Sequence, residues 1–415
     1  MNLRAHVEQL LASRRDGFAL PGAFFADEAL YEAELELIFA RHWLFVANAA
    51  EIPEGGDYRT YQIGRYPIFL LRRDDGTIVA FHNTCRHRGS RILQHEAGIA
   101  GATLMCPYHR WTYDLDGHVI GCGGTGERAQ AQPPLKAVHV RVIEGLVFVC
   151  LAEEPPADIA DMSARIAPYL APHRLLDTKV AKQTEIVEHG NWKLTIENNR
   201  ECFHCAGHPE LLNSLFEFLN EPDENTMSAK ERSEYCRFRD ARVSSQATWQ
   251  RLGLPFTLIE ELHGRATGFR TERLVLDGAG ESMTPDTRAA SRRLLGDFTE
   301  ARLGTLHLHV QPNAWFHFMA DHVITFSTLP LGRNSTLVRT TWLVHAAAQE
   351  GVDYNLANLT SVWDATNRQD AEFVAETQRG VSSPAYLPGP IGDNEFMVNR
   401  FHSWYEERLR AALNL

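Results

Sequence analysis

The pattern of apolar and polar positions changes twice along the chain. Residues 1–45 read as helical, with Asp27 placed to cap a helix that runs toward His42. From residue 46 to 155, short runs rich in valine, isoleucine and aromatic residues alternate with turn signals such as Asp-Asp-Gly at residues 74–76. This second segment therefore predicts a small antiparallel β domain.

The remainder of the chain, residues 157–415, mixes both periodicities. The stretch from Leu306 to Leu331 alternates in places, as strands do, whereas Asp364–Thr377 and Asn399–Ala412 show helical spacing. Strands and helices that are segregated in this way predict an α+β chain into which an all-β module is inserted.

Composition narrows the class of protein. The 415 residues include 41 Lys and Arg against 53 Asp and Glu, which gives a net charge of −12 and argues against a nucleic-acid binder. We find no apolar run of membrane-spanning length and no apolar signal region at the start, so the chain is expected to be cytoplasmic, with no membrane partner. The seven cysteines, an odd number, do not suggest a disulfide framework.

The first group of candidate ligands consists of two mixed cysteine–histidine boxes. Cys85 and His87 form Cys-x-His, and Cys106 and His109 form Cys-x-x-His, with eighteen residues between His87 and Cys106. Two thiolates and two imidazoles suit either zinc or a [2Fe–2S] cluster. Because each box mixes the two ligand types, the spacing favours a Rieske cluster, in which two histidines replace two cysteines on one iron. Structural zinc is the alternative.

A second group lies further along the chain. His204 and His208 stand four residues apart, so on a helix both imidazoles would project from one face and could bind one metal ion. The run 363–372 offers carboxylates for a third ligand, which would complete a two-histidine, one-carboxylate iron site; a purely structural role for the histidines is the alternative. Cys205 occupies the glutamate position of the zinc-protease motif, which excludes that class. Cys202 and Cys205 are interpreted as buried packing partners, with a redox or metal role as the alternative.

These two groups together resemble the Rieske non-haem iron oxygenases. The first box of that family reads Cys-x-His-Arg, its second reads Cys-Pro-x-His-x-Trp, and a segment like Asn191-Trp192-Lys193 leads into its iron histidines. The resemblance implies an all-β Rieske [2Fe–2S] domain over residues 46–155, inserted into an α+β catalytic domain over 157–415. That catalytic domain would have an antiparallel sheet of the helix-grip, START-like kind, and the helices of residues 1–45 would pack on it.

The resemblance also implies roles for individual residues. The cluster would be bound by Cys85, His87, Cys106 and His109. The mononuclear iron would be bound by His204, His208 and Asp370. Glu201 matches an acidic residue that links the Rieske domain of one subunit to the iron site of its neighbour. Many members place four residues between the two iron histidines, whereas this chain has three.

Within the family, the segments 197–211 and 383–390 resemble the branch that acts on quaternary or N-methylated amines, of the glycine betaine and stachydrine type. The resemblance implies hydroxylation of an N-methyl group by O₂, with release of formaldehyde. It also implies a separate flavin and iron–sulfur reductase that takes electrons from NAD(P)H, and a ring of three subunits. The alternatives are a carnitine- or choline-type monooxygenase, an aromatic ring-hydroxylating dioxygenase and an electron-transfer Rieske protein without catalysis.

Aromatic side chains are the expected partners of a permanently cationic substrate. The candidates are Phe203, Trp315, Phe316 and Phe318. Histidines on the same strand-like segments, including His307, His309 and His317, are interpreted as core or pocket-lining groups and not as metal ligands.

Overall fold

The structure is a computed structural model that describes residues 3–122, 131–216 and 227–415. The chain folds into two compact units. The large unit comprises Met1–Glu34 and Ala157–Leu415, and the small unit comprises Leu35–Pro156. The first boundary between the two units lies between Glu34 and Leu35, where the type of helix changes. An α-helix ends at Glu34, and a π-helical turn continues over Leu35–Phe39.

The small unit is built from strands. They are β1 Leu44–Asn48, β2 Asp57–Ile63, β3 Tyr66–Arg72, β4 Ile78–His82, β5 Ala97–Ile99, β6 Leu104–Met105, β7 Thr112–Tyr113, β8 Val119–Gly121, β9 Ala137–Ile143 and β10 Leu146–Cys150. Seven strands pair in the order β1-β10-β9-β4-β3-β2-β5, and β6-β7-β8 form a separate three-stranded sheet. The separate sheet carries the second cysteine–histidine box, which lies between β6 and β7.

The turn between β3 and β4 shows how the sequence sets one hairpin. Gly76 has a φ of 84°, a conformation that glycine adopts without the steric cost of a Cβ. Asp75 accepts hydrogen bonds from the backbone and the hydroxyl of Thr77, at 2.9 and 2.6 Å. The Asp-Gly turn signal therefore closes a hairpin and brings β4 to its place before Cys85.

The large unit combines helices with one sheet. Its helices are α1 Leu3–Ser13, α2 Ala23–Ala26, α3 Glu28–Glu34, α4 Ile159–Leu170, α5 Trp192–Asn199, α6 Pro209–Leu212, α7 Ala229–Arg251, α8 Leu356–Val381 and α9 Phe396–Leu413. Its strands are β11 Thr178–Glu188, β12 Ile259–Glu261, β13 Phe269–Leu274, β14 Thr305–Val310, β15 Ala314–Phe318, β16 His322–Gly332 and β17 Ser335–His345.

The sheet of the large unit is antiparallel, in the order β11-β17-β16-β15-β14-β13-β12. The long helix α8 lies on one face of this sheet. Asn367 donates to the hydroxyl of Thr340 on β17 at 3.0 Å, and Asp364 pairs with Lys182 on β11 at 2.7 Å. The predicted α+β class, the helical spans within α8 and α9 and the strands within 306–331 are confirmed.

A buried carboxylate ties the N-terminal helices to the rest of the large unit. Glu34, at the end of α3, accepts hydrogen bonds from Trp192 Nε1 at 2.8 Å and Lys193 Nζ at 2.6 Å, and from the Tyr405 hydroxyl. The Glu34 and Lys193 side chains are fully buried, so each charge compensates the other. Asp27 caps α3, as predicted, by accepting from the backbone N–H of Leu30 at 2.7 Å.

Among the helices of the described residues, none combines the length and the apolar character that a membrane span requires.

Candidate functional site: two metal-ligating groups and a cavity

The two cysteine–histidine boxes of the small unit form matching loops. In the first, Gly89 N–H donates to the carbonyl of Cys85 at 3.0 Å, and Cys85 N–H donates to Ser90. In the second, Arg110 N–H donates to the carbonyl of Cys106 at 3.0 Å, and Cys106 N–H donates to Trp111. Each loop thus folds back on its cysteine and presents a histidine beside it.

The four predicted cluster ligands come together in two layers. Cys85 and Cys106 are buried with 4% and 1% exposure, in the core cluster that also contains Trp111. The His87 and His109 rings lie 4.7 Å apart, centroid to centroid, and both are partly exposed. The His87 ring stacks on Trp111, and its Nδ1 atom is buried without a hydrogen-bond partner among the described residues. Two buried sulfurs beneath two imidazoles fit the donor set of a Rieske cluster.

A tyrosine hydroxyl contacts one of the cluster sulfurs. The hydroxyl of Tyr113 lies 3.1 Å from Sγ of Cys85 and accepts a hydrogen bond from Arg86 N–H at 3.0 Å. Because the backbone amide already donates to the tyrosine oxygen, the hydroxyl hydrogen is free to point at the sulfur. Burial, followed by the contact with Cys85, raises the pKa of Tyr113, so the phenol keeps its proton.

In the large unit, the predicted iron ligands converge on one point. Nε2 of His204 and Nε2 of His208 each lie 3.4 Å from Oδ1 of Asp370, and the two rings are 5.1 Å apart. His208 is fully buried, and its Nε2 and the Oδ1 of Asp370 have no hydrogen-bond partner in the part of the chain that is described. Buried polar atoms without partners are costly, and a cation placed among them would satisfy all three groups. The donor set of two imidazoles and one carboxylate fits Fe(II) with open positions.

The local backbone around these histidines differs from the predicted helix. His204–Gly207 is a single 3₁₀ turn, and His208 has φ −115° and ψ 72°, outside the helical region. The physical reason is Pro209, which disfavours the helical conformation of the residue before it and then begins α6. The helical placement was wrong, but the short turn still brings the two rings together.

An aromatic side chain covers both imidazoles. The Phe373 ring lies 5.9 Å from the His204 ring and 5.7 Å from the His208 ring. Gly207 permits this approach, since a Cβ at that position would stand 3.1 Å from the Phe373 ring. Because Phe373 follows Asp370 by three residues on α8, the same helix supplies the carboxylate and the aromatic cover.

Glu201 holds the other side of His204. Its Oε1 lies 2.5 Å from Nδ1 of His204, and its Oε2 accepts from the backbone N–H of Phe203. Burial alone would lower the pKa of His204, but the carboxylates of Asp370 and Glu201 outweigh burial and raise that pKa to about 9. A carboxylate on Nδ1 fixes the tautomer that leaves Nε2 free to face a metal.

The two cysteines beside the iron histidines are bonded to each other. Cys202 and Cys205 form a disulfide, with Cα atoms 4.9 Å apart. The interpretation of these residues as packing partners was therefore wrong. A turn closed by the hydrogen bond from Cys205 N–H to the carbonyl of Cys202, at 3.2 Å, explains the difference, because it brings these two residues within bonding reach.

A cavity of about 800 Å³ opens beside the predicted iron ligands. His204, His208 and Asp370 line one part of it, and Trp363, from the same face of α8 as Asp370, lines another. Strands β13 and β14 contribute polar side chains, which include Arg270, Glu272, His307 and His309, and β15 contributes His317. This volume is in the range of small-molecule sites.

The predicted aromatic substrate contacts are distributed differently. Phe203 borders the cavity and is 74% exposed. Among the described residues that line the cavity, Trp315, Phe316 and Phe318 are not found. Phe316 and Phe318 flank His317 on β15, so strand alternation directs them to the opposite face of the sheet, where Phe318 meets His173. Trp315 stacks on Phe326.

Sequence reasoning missed Trp363 as a cavity aromatic. Its ring stacks on His317 with 4.6 Å between centroids and meets Phe326 edge to face. The available signal was its spacing: Trp363 stands seven residues, or about two helical turns, before Asp370, and therefore on the same face of α8.

Comparisons with known proteins show which family the chain is similar to. A family model described as the ring hydroxylating alpha subunit (catalytic domain) matches residues 175–411, and a Rieske [2Fe-2S] domain model matches residues 42–134. The chain is 44% identical, over 99% of its own length and 90% of the relative's, to a glycine betaine monooxygenase oxygenase subunit of Chromohalobacter salexigens. It is 41% identical to the subunit of the same description from Pseudomonas aeruginosa, over 98% of this chain and 92% of that one.

The fold also matches a solved structure. A quaternary ammonium Rieske monooxygenase, CntA, in complex with γ-butyrobetaine superposes with a TM-score of 0.67 over 97% of this chain and 98% of that one, at 18% sequence identity. At that level of identity the likeness concerns the fold alone.

Proposed function

This chain belongs to the family of Rieske ring-hydroxylating oxygenase alpha subunits, and from that premise we propose that it N-demethylates a quaternary ammonium compound of the glycine betaine type. The observation that carries the proposal is the convergence of His204, His208 and Asp370 on the wall of a cavity. The near full-length similarity to two glycine betaine monooxygenase oxygenase subunits supports the choice of substrate.

The candidate metal ligands belong to two separate centres. Cys85, His87, Cys106 and His109 would hold the [2Fe–2S] cluster, and His204, His208 and Asp370 would hold the iron. Bound there, the cluster supplies single electrons and the iron supplies activation of O₂. The electrons would come from NAD(P)H through a separate reductase that carries flavin and an iron–sulfur centre.

The proposed reaction balances with one O₂ and two electrons. One oxygen atom is inserted into a C–H bond of an N-methyl group, and the other leaves as water with two protons and the two electrons. The hydroxymethyl ammonium that results loses its hydroxyl proton, the C–N bond breaks and its electron pair remains on nitrogen. The products are formaldehyde and the dimethylamine form of the substrate.

The chain's own residues prepare the site for a cationic substrate. Asp370, Glu201 and Glu272 contribute carboxylates to the cavity, and the Trp363 ring offers an aromatic face. A quaternary ammonium group cannot donate a hydrogen bond, so it is bound by charge and by cation–π contact worth about 0.5–2 kcal/mol. Of the aromatic residues predicted from sequence, Phe203 alone borders this cavity among the described residues. Other aromatic side chains also line it, and we assign the cation contact to Trp363 because it lies on the same face of α8 as Asp370.

Glu201 has two tasks in the proposal. Its carboxylate accepts a hydrogen bond from Nδ1–H of His204 and so keeps that imidazole oriented. It would also meet the partly exposed His109 edge of a neighbouring subunit's cluster loop, which requires a homo-oligomer, proposed to be a ring of three. Electrons would then pass between subunits, from the cluster of one to the iron site of the next.

A formaldehyde assay tests the proposal. Protein loaded with iron and cluster, supplied with a reductase and NADH, is given glycine betaine, stachydrine, carnitine, choline and naphthalene in separate reactions. We expect formaldehyde, in proportion to NADH oxidised, from glycine betaine or stachydrine. Formation of a diol from naphthalene without formaldehyde from any methylated amine would contradict the proposal and favour a ring-hydroxylating dioxygenase.

A further inference from the structure

Two histidines face each other on adjacent strands of the cavity wall. His307 on β14 and His317 on β15 are register partners, and their rings lie 4.5 Å apart. Both line the cavity. Neither is a candidate ligand of the iron site, and the proposed reaction assigns no role to either residue.

The polar atoms of this pair are unsatisfied. Nε2 of His307 and both ring nitrogens of His317 are buried and have no hydrogen-bond partner within the described ranges. A buried polar atom without a partner costs about 1–3 kcal/mol, so a native structure that keeps three of them side by side needs a reason. A ligand that offers hydrogen-bond acceptors at this point would supply the missing partners.

Two other polar groups of the cavity lining already have partners. Arg270 pairs with Glu260 at 3.1 Å and with Glu272 at 2.6 Å. The Thr366 hydroxyl donates to the carbonyl of Val362 at 2.9 Å. The histidine pair differs from these groups, and it shares its unused hydrogen-bonding capacity with the hydroxyl of Thr305 on the same strand as His307.

The charge state of the pair suits an anionic ligand. Burial lowers the pKa of both imidazoles, and the Arg270 guanidinium lowers that of His307 further, to about 4. At neutral pH each ring is uncharged and carries one N–H donor. Two neutral donors can each bond one oxygen of a carboxylate.

The position of the pair fits the far end of a small zwitterion. His317 stacks on Trp363, which precedes Asp370 by seven residues on α8, a rise of roughly 10 Å along the helix axis. The iron end of the cavity carries the carboxylates of Asp370 and Glu201, which attract the cationic end of a substrate. The iron end of the cavity therefore favours a cation, whereas the histidine pair offers uncharged N–H donors to a hydrogen-bond acceptor.

We infer that His307 and His317 bind the carboxylate of a zwitterionic substrate while Asp370 and Glu201 attract its trimethylammonium end. This inference rests on the proposed function and makes it more specific, because it selects betaines over methylated ammonium compounds that lack a carboxylate. The pair acts in binding and orientation, and takes no part in bond breaking.

Substitution of each histidine tests the inference. His307→Leu and His317→Leu remove the donors, whereas His307→Gln and His317→Gln retain an N–H donor. In the fully loaded enzyme with reductase, we expect each Leu variant to raise KM for glycine betaine about 10- to 100-fold, with a much smaller change in kcat. Each Gln variant should recover most of the loss. His173→Leu, which replaces a buried histidine that is not among the described cavity-lining residues, is the matched control and should leave KM unchanged.

Inhibition of the wild-type enzyme gives a second measurement that does not depend on the folding of any variant. Tetramethylammonium has the cationic group without the carboxylate, and we expect its inhibition constant to exceed KM for glycine betaine at least about 10-fold. In the Leu variants that difference should shrink. Equal binding of the two compounds by wild-type protein, or an equal rise for both in the Leu variants, would overturn the inference. If wild-type protein releases no formaldehyde from any methylated amine, the proposed function fails instead.

Discussion

Nε2 of His208 lies 3.4 Å from Oδ1 of Asp370, although the two residues come from distant parts of the chain. The first ends a 3₁₀ turn before α6, and the second lies on the long helix α8. Together with His204, which approaches the same oxygen to 3.4 Å, they form a group of three ligands beside a cavity, of which His208 is fully buried and the other two are partly exposed. That arrangement has the composition of an iron site with positions left open for O₂.

Removal of the carboxylate should empty the mononuclear site alone. In Asp370→Ala, we expect the mononuclear iron to fall from about one atom per chain to near zero, because two imidazoles remain as ligands. The visible absorption of the cluster should persist. Asp364→Asn is the matched control on the same helix, since Asp364 pairs with Lys182 and Thr360. Retention of full iron content by Asp370→Ala would contradict the assignment.

The carboxylate behind His204 should matter for turnover and not for cluster reduction. Glu201→Gln removes the carboxylate charge that lies beside Nδ1 of His204. Replacing such a partner of a metal-binding histidine typically lowers metal affinity or activity about 10- to 100-fold. We expect formaldehyde formation to fall by at least that factor, while the reductase reduces the cluster at the wild-type rate. Glu376→Gln, on an exposed position of α8, should change neither rate. Unchanged turnover in Glu201→Gln would contradict a role of the Glu201 carboxylate in turnover.

The tyrosine that contacts the cluster sulfur should tune the reduction potential. Tyr113→Phe removes the hydroxyl that points at Sγ of Cys85, and hydrogen bonds to cluster sulfurs stabilise the more negatively charged reduced state. We expect the potential to fall by about 40 mV, which corresponds to roughly 1 kcal/mol for one electron. Tyr58→Phe, in the same core cluster, is the control. A redox titration followed by electron paramagnetic resonance measures the reduction potential of the cluster in both variants. An unchanged or higher potential in Tyr113→Phe would contradict the role of the Tyr113 hydroxyl.

A buried neutral histidine should make stability depend on pH. Burial, followed by the charge of Arg273, holds the pKa of His173 well below its usual value of 6.5. The unfolded chain takes up a proton below pH 6.5 that the folded chain does not, so the free energy of unfolding falls as pH drops through that value. The slope for one such group is about 1.4 kcal/mol per pH unit. We expect urea denaturation between pH 7.5 and 5 to show a shallower loss in His173→Leu than in wild type, and parallel curves would contradict this.

The cysteine and histidine members of the two candidate ligand sets could be proposed from sequence because they stand at short spacings, and the structure brings them together. Cys85 with His87 and Cys106 with His109 specify a mixed donor set wherever their loops meet. Asp370 required the family resemblance, because nothing local distinguishes it from Asp364. The structure shows the physical difference, since the Asp364 carboxylate is already bonded to Lys182 of β11 and to the hydroxyl of Thr360.

The cavity wall was harder to predict. A strand places alternate residues on opposite faces, and sequence alone did not indicate which face of β15 meets α8. Phe316 and Phe318 were therefore predicted as substrate contacts because they are aromatic. It is His317, between them, that lies on the cavity face. The turn at His208 was also not predicted. The spacing of His204 and His208 is compatible with a helix, but Pro209 disfavours the helical conformation of His208.

A single-turnover reaction tests the central claim most directly. The protein, with its cluster and its mononuclear iron both reduced chemically so that together they hold the two electrons of one turnover, is freed of reductant and reductase. It is then mixed with glycine betaine and air-saturated buffer, and cluster oxidation and formaldehyde are followed together. We predict that the cluster is oxidised as formaldehyde appears in wild-type protein, and that Asp370→Ala forms none. Cluster oxidation without formaldehyde in wild-type protein, at saturating glycine betaine, would contradict the account.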